Sequence, residues 1–131
     1  MANETAPLPG QIGWIDLTVP DAELLRDFYA DVTGWAPAPV SMGDYQDYCM
    51  NAADGQSVAG ICHARGSNAG LPAVWMVYIV VADLTTALER CQARGGKILG
   101  APRSIGGSRF CVIQDPAGAV AALYESRSKS E

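Results

Sequence analysis

Two stretches of the chain decide its fold, because each is a variant of the other. The first is Gly13-Trp-Ile-Asp-Leu-Thr-Val-Pro-Asp21, and the second, 62 positions later, is Trp75-Met-Val-Tyr-Ile-Val-Val-Ala-Asp83. Each is an apolar, β-branched run that ends at an aspartate, which is typical of a strand followed by a helix N-cap. An interval this long indicates a duplicated half-domain, since solenoid repeats have shorter periods. The same offset also aligns Gly34 with Gly96, Cys49 with Cys111, Val58 with Val120 and Ala59 with Ala121.

Each half is predicted to contain one helix and four strands. In the first half, a strand over 12–19 precedes a helix between Asp21 and Gly34, and weaker strands follow near 36–41, 46–52 and 57–63. In the second half, a strand and a helix from Asp83 to Gly95-Gly96 precede strands near 97–101, 108–114 and 119–125. The order βαβββ therefore occurs twice, which places the chain in the α+β class.

The length of 131 residues fits one domain, predicted over residues 10–125. Within it, module one spans 10–64 and module two spans 74–125. The linker 65–73 is the stretch richest in Gly, Ser and Asn. Residues 1–9 and 126–131 are predicted to be flexible tails.

Composition excludes several classes of function. The chain is 49% hydrophobic and 18% charged, which excludes a disordered protein. Nine basic and fourteen acidic residues give a net charge of −5, and the basic residues are scattered, so neither nucleic acid nor a membrane is expected as a partner. No signal sequence is recognised, and the longest apolar run, 73–82, is too short to span a bilayer. Four cysteines without a Cys-x-x-Cys pair indicate reduced thiols and a cytoplasmic protein.

The order of these motifs resembles the vicinal oxygen chelate superfamily, which includes glyoxalase I, the bleomycin-resistance proteins and the extradiol dioxygenases. The resemblance covers about residues 11–125. It implies one open, curved, eight-stranded sheet around a cleft, with a helix from each half packed behind it. It also implies a homodimer, since an open sheet has edges that need cover. The residues that carry it are Asp21, Phe28-Tyr29, Gly34-Trp35, Asp83, Gly95-Gly96 and Asp115-Pro-Ala-Gly118.

In the metal-using members of this superfamily, four side chains reach the centre of the cleft, two from each half. The resemblance places these positions at Trp14, Gly60, Met76 and Ala122. None of these residues is a ligand for a hard or borderline divalent ion. The sole histidine, His63, maps to the face of its strand opposite Gly60 and lacks convergent partners. We therefore expect no metal and no other cofactor.

Strand alternation divides each half into a helix face and a cleft face. Ile15, Leu17 and Val19, with their counterparts Val77, Ile79 and Val81, are predicted to face the helices. The cleft face is then apolar and aromatic with a few polar groups, as small-molecule sites usually are. A core closed over by the two halves is the alternative. The predicted ligand-binding residues are Trp14, Asp16, Tyr48, Cys62, Met76, Tyr78 and Tyr124.

The third strand of each half has two possible facings. Simple hairpin counting puts Cys49 opposite Gly60 and Cys111 opposite Ala122, whereas a bulge would turn Tyr48 and Phe110 into the cleft. The sequence leaves both open. A reactive cysteine is disfavoured, since no histidine shares its face.

Two functions compete on these residues. The first is a metal-free protein that binds a small amphipathic molecule in the cleft, as bleomycin-resistance proteins do for their drug. The second is a lyase, an isomerase or a dioxygenase-type enzyme that uses Asp16 and Tyr78 or an unrecognised metal site. Asp16 and Tyr78 occupy equivalent positions in the repeat, so we expect the Asp16 carboxylate to be hydrogen-bonded, with Tyr78 as its natural partner. A purely structural role is a third, weaker possibility.

Overall fold

The computed structural model describes residues 7–105 and 107–126. Its helices are α1 (Ala22–Thr33) and α2 (Leu84–Ala93), and one 3-10 turn, Gly66–Asn68, lies in the linker. The fold class is confirmed as α+β with the βαβββ order repeated. The strands are β1 (Ile12–Val19), β2 (Ala36–Ser41), β3 (Gln46–Asn51), β4 (Ser57–His63), β5 (Trp75–Val80), β6 (Lys97–Ile105), β7 (Ser108–Gln114) and β8 (Val120–Glu125).

The strand order in the eight-stranded sheet is β2-β3-β4-β1-β5-β8-β7-β6, so the four strands of each module are neighbours. In both modules the first and last strands pair in parallel, and the other pairs are antiparallel. The parallel pairs place Asp16 opposite Gly60 and Tyr78 opposite Ala122, so Asp16 and Tyr78 are equivalent in the repeat, as predicted. By contacts, the segment Trp14–Trp75 forms a compact unit of its own.

Both helices begin at the aspartates that the sequence indicates. The Asp21 Oδ1 accepts the Leu24 N–H at 3.1 Å, and the Asp83 Oδ1 accepts the Thr86 N–H at 3.3 Å. Helix α1 ends at Gly34, whose φ of 82° is left-handed and favours glycine. The N–H of Leu84, which no residue within the helix can satisfy, donates to the Glu125 carboxylate at 2.7 Å.

The core of module one lies between α1 and its four strands. Its buried residues come from β1, α1, β3 and β4, and partly buried aromatic side chains cover them. This composition confirms that alternate residues of β1 face the helix. The members are Leu17, Val19, Ala22, Tyr48, Met50 and Ile61, packed against Leu25, Tyr29, Trp35 and Trp75.

The core of module two has the same layout. Leu84 and Leu88 of α2 pack on Cys111 of β7 and Leu123 of β8. Ile79, Val81 and Ile113 complete it from the same face of the sheet. The predicted helix face of β5 is thus confirmed for Ile79 and Val81.

The largest difference from the predicted elements is in β6, which continues to Ile105 instead of ending near residue 101. Its pairing with β7 shifts register between Leu99 and Arg103. Gly100 within this irregularity has a φ of 86°, which a side chain other than glycine rarely adopts. A bulge here allows the strand to resume past Pro102, although proline cannot donate to the ladder.

Both outermost strands carry prolines. Strand β2 is the outer strand of module one and contains Pro37 and Pro39, while β6 is the outer strand of module two and contains Pro102. Proline lacks a backbone N–H, so it is confined to edges and bulges of sheets. Neither of the helices in the described ranges is long and apolar enough to cross a bilayer.

Candidate functional site

The face of module one opposite α1 is built around Gly60. A Cβ at this position would lie 3.2 Å from the Asp16 Cβ and 3.4 Å from the Trp14 Nε1. The absence of a side chain at Gly60 therefore lets Trp14 and Asp16 lie against the β4 backbone. Both side chains are partly exposed, on the face where the sequence predicted them.

Cys62 lies in an acidic setting on this face. Burial is the main cause that raises the pKa of the Cys62 thiol, and the nearby carboxylates of Asp16 and Asp47 raise it further. The thiol is therefore protonated at neutral pH and is a poor nucleophile.

His63, at the end of β4, is held by Asp47. The Asp47 carboxylate accepts the His63 backbone N–H at 2.9 Å, and its Oδ1 lies 3.3 Å from the His63 Nδ1. The imidazole also meets the Tyr45 ring edge-on, with centroids 5.5 Å apart. The Arg65 guanidinium lies 3.9 Å from the centre of the Tyr45 ring. These contacts hold His63 in place as a half-buried residue of its module. The sequence had suggested a histidine near solvent at the end of the strand.

The corresponding face of module two is aromatic and carries a cation. The rings of Tyr78 and Phe110 have centroids 5.8 Å apart, and the Arg103 guanidinium lies 5.5 Å from the centre of the Phe110 ring. Between β8 and β7, the Tyr124 hydroxyl donates to the Ser108 Oγ at 2.9 Å. Because Phe110 is only 7% exposed, the accessible part of this face is the Tyr78 ring and the Arg103 guanidinium, which suit a flat ligand with an acceptor group.

The third strands of the two modules, β3 and β7, differ in which of their side chains face the helix. Cys49 pairs with Gly60, as hairpin counting predicted. Cys111 pairs with Leu123 and packs in the core beside α2, so of the two facings left open for this strand the structure has the one that puts Phe110 on the face opposite the helix. Val112 lies opposite Ala122, because the β7–β8 hairpin differs by one residue from the bulged β3–β4 hairpin. Residues 62 positions apart in β3 and β7 therefore do not occupy equivalent places in the sheet.

This register also decides where Tyr48 and Phe110 lie. Tyr48 is buried in the core beside α1, with the Arg26 guanidinium 4.8 Å from its ring centre, so its placement in the cleft is corrected. Phe110 packs on Tyr78, on the opposite face of the sheet from α2. Met76 is only 2% exposed, so a ligand cannot reach it without a rearrangement. The predicted ligand-binding residues that keep accessible surface are Trp14, Asp16, Cys62, Tyr78 and Tyr124.

The four positions that the resemblance assigned to metal ligands hold Trp14, Gly60, Met76 and Ala122. Trp14 packs its indole over Gly60, and Met76 and Ala122 are buried apolar residues. Neither an indole nor a single thioether among aliphatic groups suits a divalent cation of this class. Within the described ranges, no cluster of three or more His, Cys, Asp or Glu side chains could hold a metal ion.

Sequence reasoning missed three features of these faces. Arg103 lies beyond the predicted end of its strand, so its position over Phe110 was not foreseen. Asp47 was not singled out, although it contacts His63 and influences Cys62. The third feature is an open apolar pocket of about 470 Å³ on the helix side of module one, lined by Ile15, Tyr29, Thr33, Trp35, Val58, Ala59 and Trp75.

Aromatic contacts organise this pocket. The Trp75 Nε1 donates to the Tyr29 hydroxyl at 3.1 Å, and the two rings meet edge to face at 5.1 Å. Trp35 also meets Trp75 at 5.8 Å. The spacing of Tyr29 and Trp35 around Gly34 was visible in the sequence, but the contribution of Trp75, 40 residues further on, was not.

Comparison with solved structures shows the same fold. The methylmalonyl-CoA epimerase of Mycobacterium tuberculosis is 18% identical with a TM-score of 0.58, and the match covers 97% of this chain and 95% of that one. The methylmalonyl-CoA epimerase of Streptomyces coelicolor, in complex with 2-nitronate-propionyl-CoA, is 16% identical with a TM-score of 0.57. That match covers 92% of this chain and all of the epimerase chain.

Comparison with curated proteins finds a more similar sequence. The anthracycline biosynthesis protein DnrV of Streptomyces peucetius is 30% identical over 129 residues, which cover 88% of this chain and 47% of DnrV. The chain thus spans about half the length of this relative. Residues 11–123 match the profile of the Glyoxalase/Bleomycin resistance protein/Dioxygenase superfamily. Together with the repeated βαβββ fold, this match shows that the chain belongs to that superfamily.

Proposed function

We propose that this protein is a metal-free binding protein for a small amphipathic molecule. The observation that carries the proposal is the face of module two, where the partly exposed Tyr78 ring and Arg103 guanidinium lie against the buried Phe110 ring. A planar apolar body would stack on the Tyr78 ring, and an acceptor group would meet the Arg103 guanidinium. The names of similar proteins suggest the class of ligand, since DnrV is named for anthracycline biosynthesis and the epimerase complex contains a CoA ester.

The residues at the superfamily's metal positions support binding without a metal. Trp14, Gly60, Met76 and Ala122 supply aromatic and aliphatic surface where metal-using members supply ligands. We also propose that the protein acts in the cytoplasm, because its four cysteines are free thiols and reducing compartments maintain that state.

Titration calorimetry with three probes tests the proposal: an anthracycline, metal-free bleomycin and a CoA thioester. We expect at least one probe to bind at micromolar concentration. The Arg103→Gln variant should weaken binding about fivefold, because it removes the cation that would contact the acceptor group of the ligand. Arg109→Gln is the matched control, because Arg109 precedes Phe110 on the same strand but donates to Glu125 and Thr85.

Two results would contradict this function. One is stoichiometric zinc, nickel, iron or manganese in protein purified without an affinity tag. The other is equal loss of affinity in the Arg103 and Arg109 variants, which would mean that a general change of charge, and not the aromatic face, controls binding.

The second candidate is an enzyme that abstracts a proton. Its support is the register, which places a carboxylate and a phenol, Asp16 and Tyr78, at equivalent positions on β1 and β5. A carboxylate base would exchange the hydrogen next to a thioester carbonyl with solvent. Incorporation of deuterium from D2O into the CoA thioester, abolished by Asp16→Asn, would favour the enzyme over the binding protein.

A further inference from the structure

Helix α1 exposes an apolar stripe that no part of its own core uses. Leu24, Phe28 and Val32 are four residues apart, so they share one face of the helix, and they are 62%, 52% and 62% exposed. Leu25 and Tyr29, one position after Leu24 and Phe28, pack into the core. Because Leu25 and Tyr29 pack into the core, Leu24, Phe28 and Val32 remain exposed to solvent. Contiguous apolar surface of this kind marks interaction sites.

An acidic stripe runs along the other side of these residues. Glu23, Asp27 and Asp31 precede Leu24, Phe28 and Val32 by one position each, so at 100° per residue they form the flank of the apolar stripe that points away from the core. All three are exposed. Asp27 pairs with the Arg26 guanidinium at 2.9 Å, and this contact lowers the pKa of Asp27. Because Arg26 partly offsets the charge of Asp27, Glu23 and Asp31 at the two ends supply most of the negative charge of the flank.

The apolar stripe is continuous with the aromatic pocket of module one. The Phe28 ring meets the Tyr29 ring edge to face at 5.0 Å. Tyr29 in turn lines the pocket of about 470 Å³ with Trp35 and Trp75. A partner that lies along α1 could therefore place a large apolar side chain in the pocket at the C-terminal end of the helix.

We propose that this face of α1 binds an amphipathic segment of another protein, whose apolar side chains are flanked by lysine or arginine. The apolar stripe supplies the contact area and the acidic flank selects the charge of the partner. This inference is independent of the ligand proposed for the sheet face.

Two other occupants fit the charges less well. In an antiparallel pairing of two copies of α1, the acidic stripes would oppose one another, and in a parallel pairing each acidic stripe would meet the apolar flank of Leu25 and Tyr29 instead of a basic one. An anionic lipid surface would be repelled by the same carboxylates. A basic segment is the occupant for which both stripes are favourable.

Fluorescence anisotropy with two labelled helical peptides of about 18 residues tests the proposal. One peptide carries leucines flanked by lysines, and the other has glutamates in place of the lysines. We expect the basic peptide to bind and the acidic one not to bind. Phe28→Ser should weaken binding about tenfold or more, because it removes a buried phenylalanine from the interface. The thermal midpoint should stay unchanged, since Phe28 is half exposed in the free protein.

Charge variants distinguish an effect of the acidic flank of α1 from an effect of the net negative charge of the whole protein. The double variant Glu23→Lys, Asp31→Lys should reverse the preference to the acidic peptide. The control double variant, Asp54→Lys with Glu89→Lys, makes the same change of net charge at exposed positions outside α1 and should leave the preference intact. Equal effects of the two double variants would overturn the proposal. So would a dimer that dissociates on Phe28→Ser, or binding to vesicles of phosphatidylcholine and phosphatidylglycerol that Phe28→Ser abolishes.

Discussion

A single carboxylate, that of Glu125, joins three parts of module two. It accepts the first N–H of α2 from Leu84 at 2.7 Å and the Arg109 guanidinium at 3.0 Å. These bonds, chiefly the one from Leu84, lower the pKa of Glu125 below its ordinary value. The Glu125 side chain thus acts as a second N-cap for α2, although it lies on β8, the last strand of the module in sequence.

The stability of the protein should therefore fall in acid partly through Glu125. Because the pKa is depressed in the folded state, the stabilisation is present above the unfolded-state pKa and is lost as the pH falls below about 4.5 through the folded-state value. The variant Glu125→Gln should show a flatter decline in thermal midpoint between about pH 5 and pH 3. Glu89→Gln, at an exposed position of α2, is the control and should retain the wild-type decline.

Cys62 should react slowly with iodoacetamide at pH 8, because the thiolate is the reactive form and the pKa of Cys62 is raised. Asp16→Asn removes one of the carboxylates that raise the pKa, so alkylation of Cys62 should become several-fold faster. Mass spectrometry of the labelled peptides measures this directly, with the exposed Asp54→Asn as control. An unchanged rate in Asp16→Asn would mean that Asp16 does not influence the thiol.

At the residue scale, local partners were predictable and distant ones were not. Asp21 and Asp83 cap helices through N–H groups three residues away, and the sequence pattern alone indicates such bonds. Glu125 reaches Leu84 across 41 positions of sequence. Such a contact depends on strand register, which the repeat specifies only in part.

At the scale of elements, the turn between α2 and β6 is held by close packing. A Cβ on Gly96 would lie 2.6 Å from the Cys91 Sγ and 3.1 Å from the carbonyl oxygens of both Cys91 and Gln114. The end of the helix can approach the sheet this closely only because position 96 lacks a side chain. The sequence indicated Gly95-Gly96 as a helix stop, but not this contact.

Gly96→Ala should therefore destabilise the protein by about 1–3 kcal/mol, the usual range for overpacking. Replacing Cys91 with alanine in the same chain should restore only part of this loss, because two backbone oxygens still crowd the new methyl group. Chemical denaturation measures both variants. Gly70→Ala is the control, since a Cβ there meets nothing within 4 Å. If Gly96→Ala were as stable as that control, the close approach of α2 to β6 would be refuted.

The register of β7 shows the limit of the repeat as a guide to the site. Cys49 and Cys111 align by sequence, yet Cys49 pairs with Gly60 while Cys111 faces the core. One residue of difference between hairpins exchanges the two faces of a strand, since side chains alternate. Phe110 consequently packs on Tyr78, and this arrangement follows from a β-bulge that is present in the β3–β4 pair and absent from the β7–β8 pair.

At the scale of the whole molecule, the fold followed from the sequence more closely than the site did. Each helix and strand was predicted because hydrophobic periodicity, caps and turn residues agree within every segment. The site depends on which side chains are left exposed after packing. Met76 and Tyr48 were expected in the cleft but are buried, and burial of a large side chain is decided by its neighbours in space.

The prediction of a homodimer also belongs to this scale. We expect light scattering at micromolar concentration to give twice the chain mass of 13.8 kDa. Phe28→Ser should leave that mass unchanged, because the acidic flank of α1 opposes a symmetric pairing of this helix. A monomer mass for the wild-type chain would contradict the prediction.

The prolines of the outer strands have a consequence for how the protein behaves at high concentration. Pro37 and Pro39 alternate along β2, so two positions on the outer strand of module one offer no donor to an incoming strand. Exposed edges are templates for fibril growth, and proline interrupts that template. The double variant Pro37→Thr, Pro39→Thr should form thioflavin-positive fibrils during shaking, whereas Pro72→Thr, in the linker, should not. These two prolines would then keep a crowded solution of the protein free of amyloid.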